Sequence, residues 1–304
     1  MATARDGAAA TPARAKPPPA AAPTASAVMA RAGGENFPVA SILLPRRLRR
    51  HLLAIYGFAR LVDEIGDEAQ GDRLAALCWL EGELQAAYTG RAGHPLMQRL
   101  GAALRQCELP REPFLALIEA NRVDQSVVRY ETWEQLQGYC KLSANPVGEL
   151  VLGVLGLASI ERVALSDRIC TALQLVEHCQ DVAEDLTRGR IYMPAQDMRA
   201  CGVAEQDLHA EHAGEAVRAL IALEVRRVHE LLGQGAPLLD TLHGRPRLAV
   251  AAFIAGGRAA AQAVERAGFD VLAGPPEAGN RARLRALFAV LEQRRGARRI
   301  GAAA

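Results

Sequence analysis

The chain has 304 residues, half of them hydrophobic, 23% charged and 4% aromatic, with a net charge of +2. That balance excludes a polyanion binder held by bulk charge, so no nucleic-acid partner is expected. Abundant alanine, leucine and arginine beside few aromatic residues exclude an all-β fold and favour helices.

In chain order, residues 1–31 are Ala/Pro-rich, with Pro17, Pro18 and Pro19 in a row. They are expected to form a disordered tail, because proline removes backbone donors and little apolar surface is offered. From residue 35 the character changes. Leu48, Leu52, Ile55, Ala59 and Val62 recur at helical spacing and predict a helix over 46–62, with Pro45 suited to its start. Further helices are predicted over 72–88, 111–128, 132–157, 162–187, 204–233, 245–267 and 281–293. Turn chemistry separates several of them, at Gly90–Pro95, Gly189–Pro194, Gly233–Pro237 and Gly274–Pro276. The expected organisation is one all-α domain over 35–293, followed by a flexible tail at 294–304. The last helix carries Leu284, Leu287, Phe288 and Leu291 beside Arg281, Arg285 and Arg295, so a peripheral contact with an anionic membrane stands beside a plain packed helix.

Six scattered cysteines without a CxxC pair argue against a zinc site or disulfide framework and for a reducing, cytoplasmic setting. No signal peptide is expected. The apolar runs around Leu150–Ile160 and Leu248–Gly256 fall short of the ~18–20 residues a bilayer span needs, and read as buried core helices.

Two acidic segments carry the chemistry. Asp63-Glu64-Ile65-Gly66-Asp67 closes the first helix, and Asp181-Val182-Ala183-Glu184-Asp185 closes the 162–187 helix. Aspartates four apart on a helix share one face, where like charges cost about 0.2–0.5 kcal/mol even when exposed. Aspartate is also a mediocre helix former and is misplaced at a negative helix C-terminus. Solvated helix ends would explain one such pair; two of them on core-type helices suggest four oxygen ligands for a hard divalent cation such as Mg²⁺. Gln174, Glu177, Asp181 and Asp185 form a polar stripe expected to face a cavity. His178 beside it is expected to be packed or hydrogen-bonded rather than a ligand. Arg60, Arg188 and Arg190 flank the acids, either as simple salt bridges or as the cations a diphosphate leaving group needs. No P-loop or nicotinamide fingerprint is present, so no nicotinamide cofactor is expected. Glu177 and His178 are adjacent, not three apart as a di-iron bundle would want.

These segments resemble the squalene/phytoene synthase family over nearly all of residues 35–275. Four blocks carry the resemblance: Tyr56 to Asp67, Tyr139-Cys140-Lys141-Leu142-Ser143-Ala144-Asn145-Pro146-Val147-Gly148, Leu173 to Asp185, and Arg190-Ile191-Tyr192-Met193-Pro194. The resemblance implies an all-α isoprenoid synthase fold with a central cavity and Mg²⁺-dependent chemistry on prenyl diphosphates. It implies Asp63, Asp67, Asp181 and Asp185 as catalytic metal ligands. It implies Ser41, Arg60, Arg190 and Tyr192 on the diphosphate, and Tyr56, Tyr139 and Gln174 lining the cavity near the carbocation. Within the family, Glu35 to Ser41 and Asn145 to Gly148 resemble the bacterial hydroxysqualene-forming subgroup, which implies presqualene diphosphate as substrate, and other squalene-pathway enzymes as associates. A presqualene diphosphate synthase, a phytoene synthase-type condensation and a non-catalytic scaffold are the alternatives. Two positions depart from the family pattern. Glu64 stands where many members have aspartate. Glu177 stands where asparagine is usual, and is either an added metal ligand or a partner in a salt bridge. Tyr56, Phe58, Tyr139, Phe37 and Phe253 are candidates to face a carbocation, or plain core residues.

Overall fold

The structure, a computed structural model, describes residues 23–25 and 44–301, with side chains as far as residue 294. Apart from residues 23–25, the expected tail lies outside the described residues, as do Ser41 and Phe37.

Pro45 opens helix α1 (Arg46–Asp63), which buries Leu52, Ile55, Tyr56, Phe58, Leu61 and Val62. Asp72 caps α2 (Arg73–Tyr88) by accepting from the Ala75 amide. Helix α3 (Pro95–Cys107) was not expected, although Pro95 at its first turn and Leu96, Met97, Leu100 and Leu104 at helical spacing announce it. Helix α4 (Glu112–Val123) follows, and it stops five residues earlier than the spacing suggested.

The expected 132–157 helix is two helices, α5 (Trp133–Ser143) and α6 (Asn145–Val154). Pro146 explains the break: it suits a first helical turn and cannot continue an old one. The expected 162–187 helix is also two, α7 (Ile160–Gln180) and α8 (Val182–Thr187), parted at Asp181. A short α9 (Ala195–Ala200) comes next. The expected 204–233 helix starts only at Glu215, as α10 (Glu215–Gly235), after a 3₁₀ turn at Glu205–His209. Helices α11 (Gly244–Arg266) and α12 (Asn280–Gly301) complete the set among the described residues; α12 takes in residues 294–301 of the stretch expected to be a flexible tail.

Among the described residues no β-strand forms; one isolated bridge joins Arg129 to Ile191. Helix α7 lies between α6 and α10 and also touches α5 and α11. One apolar cluster gathers α5, α7, α10 and α11, and a second gathers α1 to α4 with α6. The expectation of no span-length apolar helix needs correction for α11, which is long and apolar enough to cross a bilayer by length and composition. Its Ala251, Ile254, Ala255, Ala259 and Val264 are buried in the first cluster, as in the core helix of a water-facing bundle.

Candidate active site

Between the two clusters lies a cavity of about 740 Å³. Its apolar wall comes from Ile55, Val147, Val151, Leu152, Ile169, Leu173 and Phe253. Its acidic end holds Asp63, Glu177, Asp181 and Glu184, with Arg60 beside them. Gly148 lets α6 approach α7 here: a Cβ would run into Ser166 Oγ and Cys170 Sγ.

The two acidic segments are not the regular helical faces the spacing suggested. After Asp63 the chain widens into a π turn at Glu64–Glu68, with the Ala69 amide reaching back to the Glu64 carbonyl at 3.0 Å. The cause is local packing. Asn121 of α4 sits where a Cβ of Gly66 would be, and Gln125 Nε2 donates to the Gly66 carbonyl at 3.1 Å. π turns inside α-helices concentrate at functional sites, and this one separates the two aspartates. Asp63 lines the cavity, 3.9 Å from Arg60 Nη1 and 3.4 Å from Asn121 Nδ2. Asp67 is turned away from it and accepts from Arg190 Nη1 at 2.8 Å.

The second segment breaks at Asp181, whose φ of −102° and ψ of 15° leave the helical region. The bend keeps Gln174, Glu177 and Asp181 on the cavity and brings Glu184 there in place of Asp185. Asp185 lines a narrow adjoining crevice with His178, Arg190 and Tyr192. Burial, reinforced by Asp181, pushes the Asp185 carboxyl up to about 7. Burial and then Glu184 raise Asp181 as well.

His178 is packed, as expected. Its ring stacks on Tyr192 with centroids 3.8 Å apart, and Gln174 Nε2 lies 3.4 Å from its Nε2. Burial pushes its pKa down to about 3, so it is neutral. Its Nδ1 is 3.9 Å from Asp185.

Of the aromatic candidates, Tyr56 and Phe253 line the cavity. Phe58 does not; it is fully buried edge-on to Phe114, with centroids 5.2 Å apart. Tyr139 does not line it either. Its hydroxyl donates to Asp124 Oδ2 at 2.6 Å, within a group of rings formed with Tyr130, Tyr192 and His178. The reason is the early end of α4, which presents Asp124 to this group. Tyr192 also donates to Asp124, at Oδ1 and 3.3 Å.

Asp124 is the residue sequence reasoning missed. It is 8% exposed, receives two phenols, and its carbonyl lies 3.5 Å from Arg190 Nη2. Burial raises its carboxyl, and the Tyr139 hydrogen bond opposes that rise. Asn121 and Asp124, three apart on a helix otherwise built from Phe114, Leu117 and Ile118, were the available signal.

The donor set suits a hard divalent cation. Asp63, Glu177, Asp181 and Glu184 offer carboxylate oxygens lining the same cavity. Among the described residues no three His, Cys, Asp or Glu side chains converge on one point. A cation bound through one or two carboxylates plus water and substrate phosphate needs no such enclosure.

Comparison with known proteins identifies the family. The chain is 37% identical to the hydroxysqualene synthase of Rhodopseudomonas palustris over 207 residues, 67% of this chain and 70% of that one. It is 35% identical to the hydroxysqualene synthase of Zymomonas mobilis over 215 residues, 69% of this chain and 72% of that one. The crystal structure of squalene synthase HpnC from Alicyclobacillus acidocaldarius superposes with a TM-score of 0.75 at 43% identity, over 83% of this chain and 94% of that one. The squalene/phytoene synthase profile matches residues 30–287, and the chain belongs to that enzyme family, with a hydroxysqualene synthase-like sequence on an isoprenoid synthase fold.

Proposed function

We propose that this enzyme converts presqualene diphosphate to hydroxysqualene with Mg²⁺, releasing diphosphate and adding water. The observation that carries the reading is a cavity of about 740 Å³ that combines an apolar wall with several carboxylates, in a chain with hydroxysqualene synthase relatives.

Asp63, Glu177, Asp181 and Glu184 at the cavity would hold the metal; Asp67 and Asp185, expected as ligands, lie against Arg190 and beside His178 instead. When bound, Mg²⁺ neutralises charge on the departing diphosphate and lowers the barrier to ionisation. Arg60 and Arg190 add fixed positive charge for the diphosphate, and Tyr192, whose hydroxyl proton goes to Asp124, helps to position Arg190 beside it. Ser41 completes the expected contacts. The bond between the cyclopropylcarbinyl carbon and the diphosphate oxygen breaks, and its electron pair leaves with diphosphate. The apolar wall excludes bulk water while the cation rearranges. Tyr56 and Phe253 offer ring faces to it, worth about 0.5–2 kcal/mol each. Water then adds its oxygen and gives up a proton, so no reductant enters the balance. Asp124 and Tyr139 act as positioning residues behind Tyr192 and Arg190. All six cysteines are free, which fits a reducing, cytoplasmic setting.

The test is incubation with Mg²⁺, without a nicotinamide, of presqualene, farnesyl and geranylgeranyl diphosphates in separate reactions. Conversion of presqualene diphosphate to an alcohol supports the reading. Consumption of farnesyl diphosphate that stops at presqualene diphosphate, or coupling of geranylgeranyl diphosphate, rejects it for a sister activity.

A further inference from the structure

Helix α12 has two differently dressed sides. Ala286 and Val290 are buried, and Leu287 and Leu291 pack against the core shared by α7, α10 and α11. On the other side Leu284 and Phe288, one turn apart, are 53% and 59% exposed, with exposed Arg281 and Arg285 along the same ridge. Residues 280–301 contain seven arginines and a single acid, Glu292, in a chain whose net charge is only +2. This helix therefore carries a formal charge of +6 from seven arginines and one glutamate, more than the basic first turn of α1 with Arg46, Arg47, Arg49 and Arg50.

The same helix forms part of the cavity's rim. Arg283 lines the cavity together with Pro275, Glu277 and Ala278 of the preceding loop. Gln180 Nε2 donates to the Pro276 carbonyl and ties that loop to the end of α7, beside Asp181.

We propose that the Leu284/Phe288 face of α12 seats on an anionic lipid bilayer, with the two apolar side chains entering the interface and the arginines contacting lipid phosphates. Large apolar side chains flanked by guanidinium groups are the pattern of a helix lying in a membrane interface. A second copy of the chain is the poorer occupant, because a symmetric contact through this face would bring arginine rows together. The seating turns the cavity rim towards the bilayer. A long apolar ligand would then pass between lipid and cavity without exposing its chains to water.

The test is sedimentation of the full chain with vesicles of phosphatidylcholine alone and of phosphatidylcholine mixed with phosphatidylglycerol, across a salt series. Two paired variants accompany it, Leu284→Glu with Phe288→Glu, and Arg281→Gln with Arg285→Gln. These residues are exposed, so both pairs should keep the helical circular dichroism and the melting temperature. The expected result is binding to the anionic vesicles only, weakening with salt. Either pair should lower the bound fraction at least about tenfold, the scale of losing two apolar insertions. A wild-type chain that stays in solution with anionic vesicles at low salt overturns the proposal, as do variants that sediment like wild type. A dimer in light scattering that the Leu284→Glu/Phe288→Glu pair dissolves would overturn it in favour of self-association. Binding is read without substrate, so a chain inactive on every diphosphate still decides the question.

Discussion

Asp124→Asn is the most informative single change at the buried hub. Asp124 accepts from Tyr139 at 2.6 Å and from Tyr192 at 3.3 Å. Asparagine keeps the shape but offers one oxygen and one amide nitrogen, so one phenol loses its acceptor. The Tyr130 hydroxyl nearby is already buried with no hydrogen-bond partner among the described residues. A hydrogen bond to a charged group contributes about 1.5–3 kcal/mol. Removing a carboxylate whose burial is unfavourable offsets part of that. The expected net loss is about 1–2 kcal/mol, read as a melting temperature lowered by roughly 2–8 °C in calorimetry. Because Tyr192 and Arg190 rest on this hub, turnover should fall by about 10–100-fold, the cost of misplacing groups by an ångström. Tyr139→Phe should show non-additive coupling with Asp124→Asn in both readouts. Turnover within twofold of wild type, or fully additive effects, would refute the claim that this carboxylate positions the site.

Further substitutions probe the acidic cavity lining, the π turn and the buried Glu224. Asp63→Ala and Asp181→Ala should each cut turnover at least ~100-fold while the chain stays folded; near-wild-type steady-state rates in the double variant would contradict their role. Gly66→Ala should destabilise by about 1–3 kcal/mol in denaturant unfolding, because its Cβ meets Asn121, and Asn121→Ala should recover part of the loss. Glu224 is fully buried beside Asp197, with Arg227 shared between them, and burial pushes its carboxyl from 4.5 up to about 7. The folded chain therefore holds a proton that the unfolded chain has lost, and stability falls as pH rises through that interval. Glu224→Gln should remove this decline, which for wild type amounts to about 3 kcal/mol across that interval. A variant whose stability tracks wild type from pH 4 to 8 would show that Glu224 keeps an ordinary pKa.

The all-α class, the order of most helices and the acidic end of the cavity were legible in the sequence, because helical spacing of apolar residues and paired aspartates are local signals. What escaped depends on contacts between distant segments. The π turn after Asp63 follows from Asn121 packing on Gly66, more than fifty residues away. The substitution of Glu184 for Asp185 at the cavity follows from the bend at Asp181, which a regular helical projection cannot show. Tyr139 carries the family's tyrosine pattern, yet its direction is set by Asp124, whose meaning appears only when α4 and α5 are packed together. Helix α3 is a different case: its apolar spacing is local, but it begins directly at Pro95, the last residue of the Gly90–Pro95 turn.

The most direct test of the central claim is the origin of the product oxygen. Presqualene diphosphate incubated with the enzyme and Mg²⁺ in ¹⁸O-labelled water should give a labelled alcohol and free diphosphate, with no nicotinamide consumed. An unlabelled alcohol, a hydrocarbon product, or no turnover of presqualene diphosphate beside active farnesyl diphosphate condensation would contradict it.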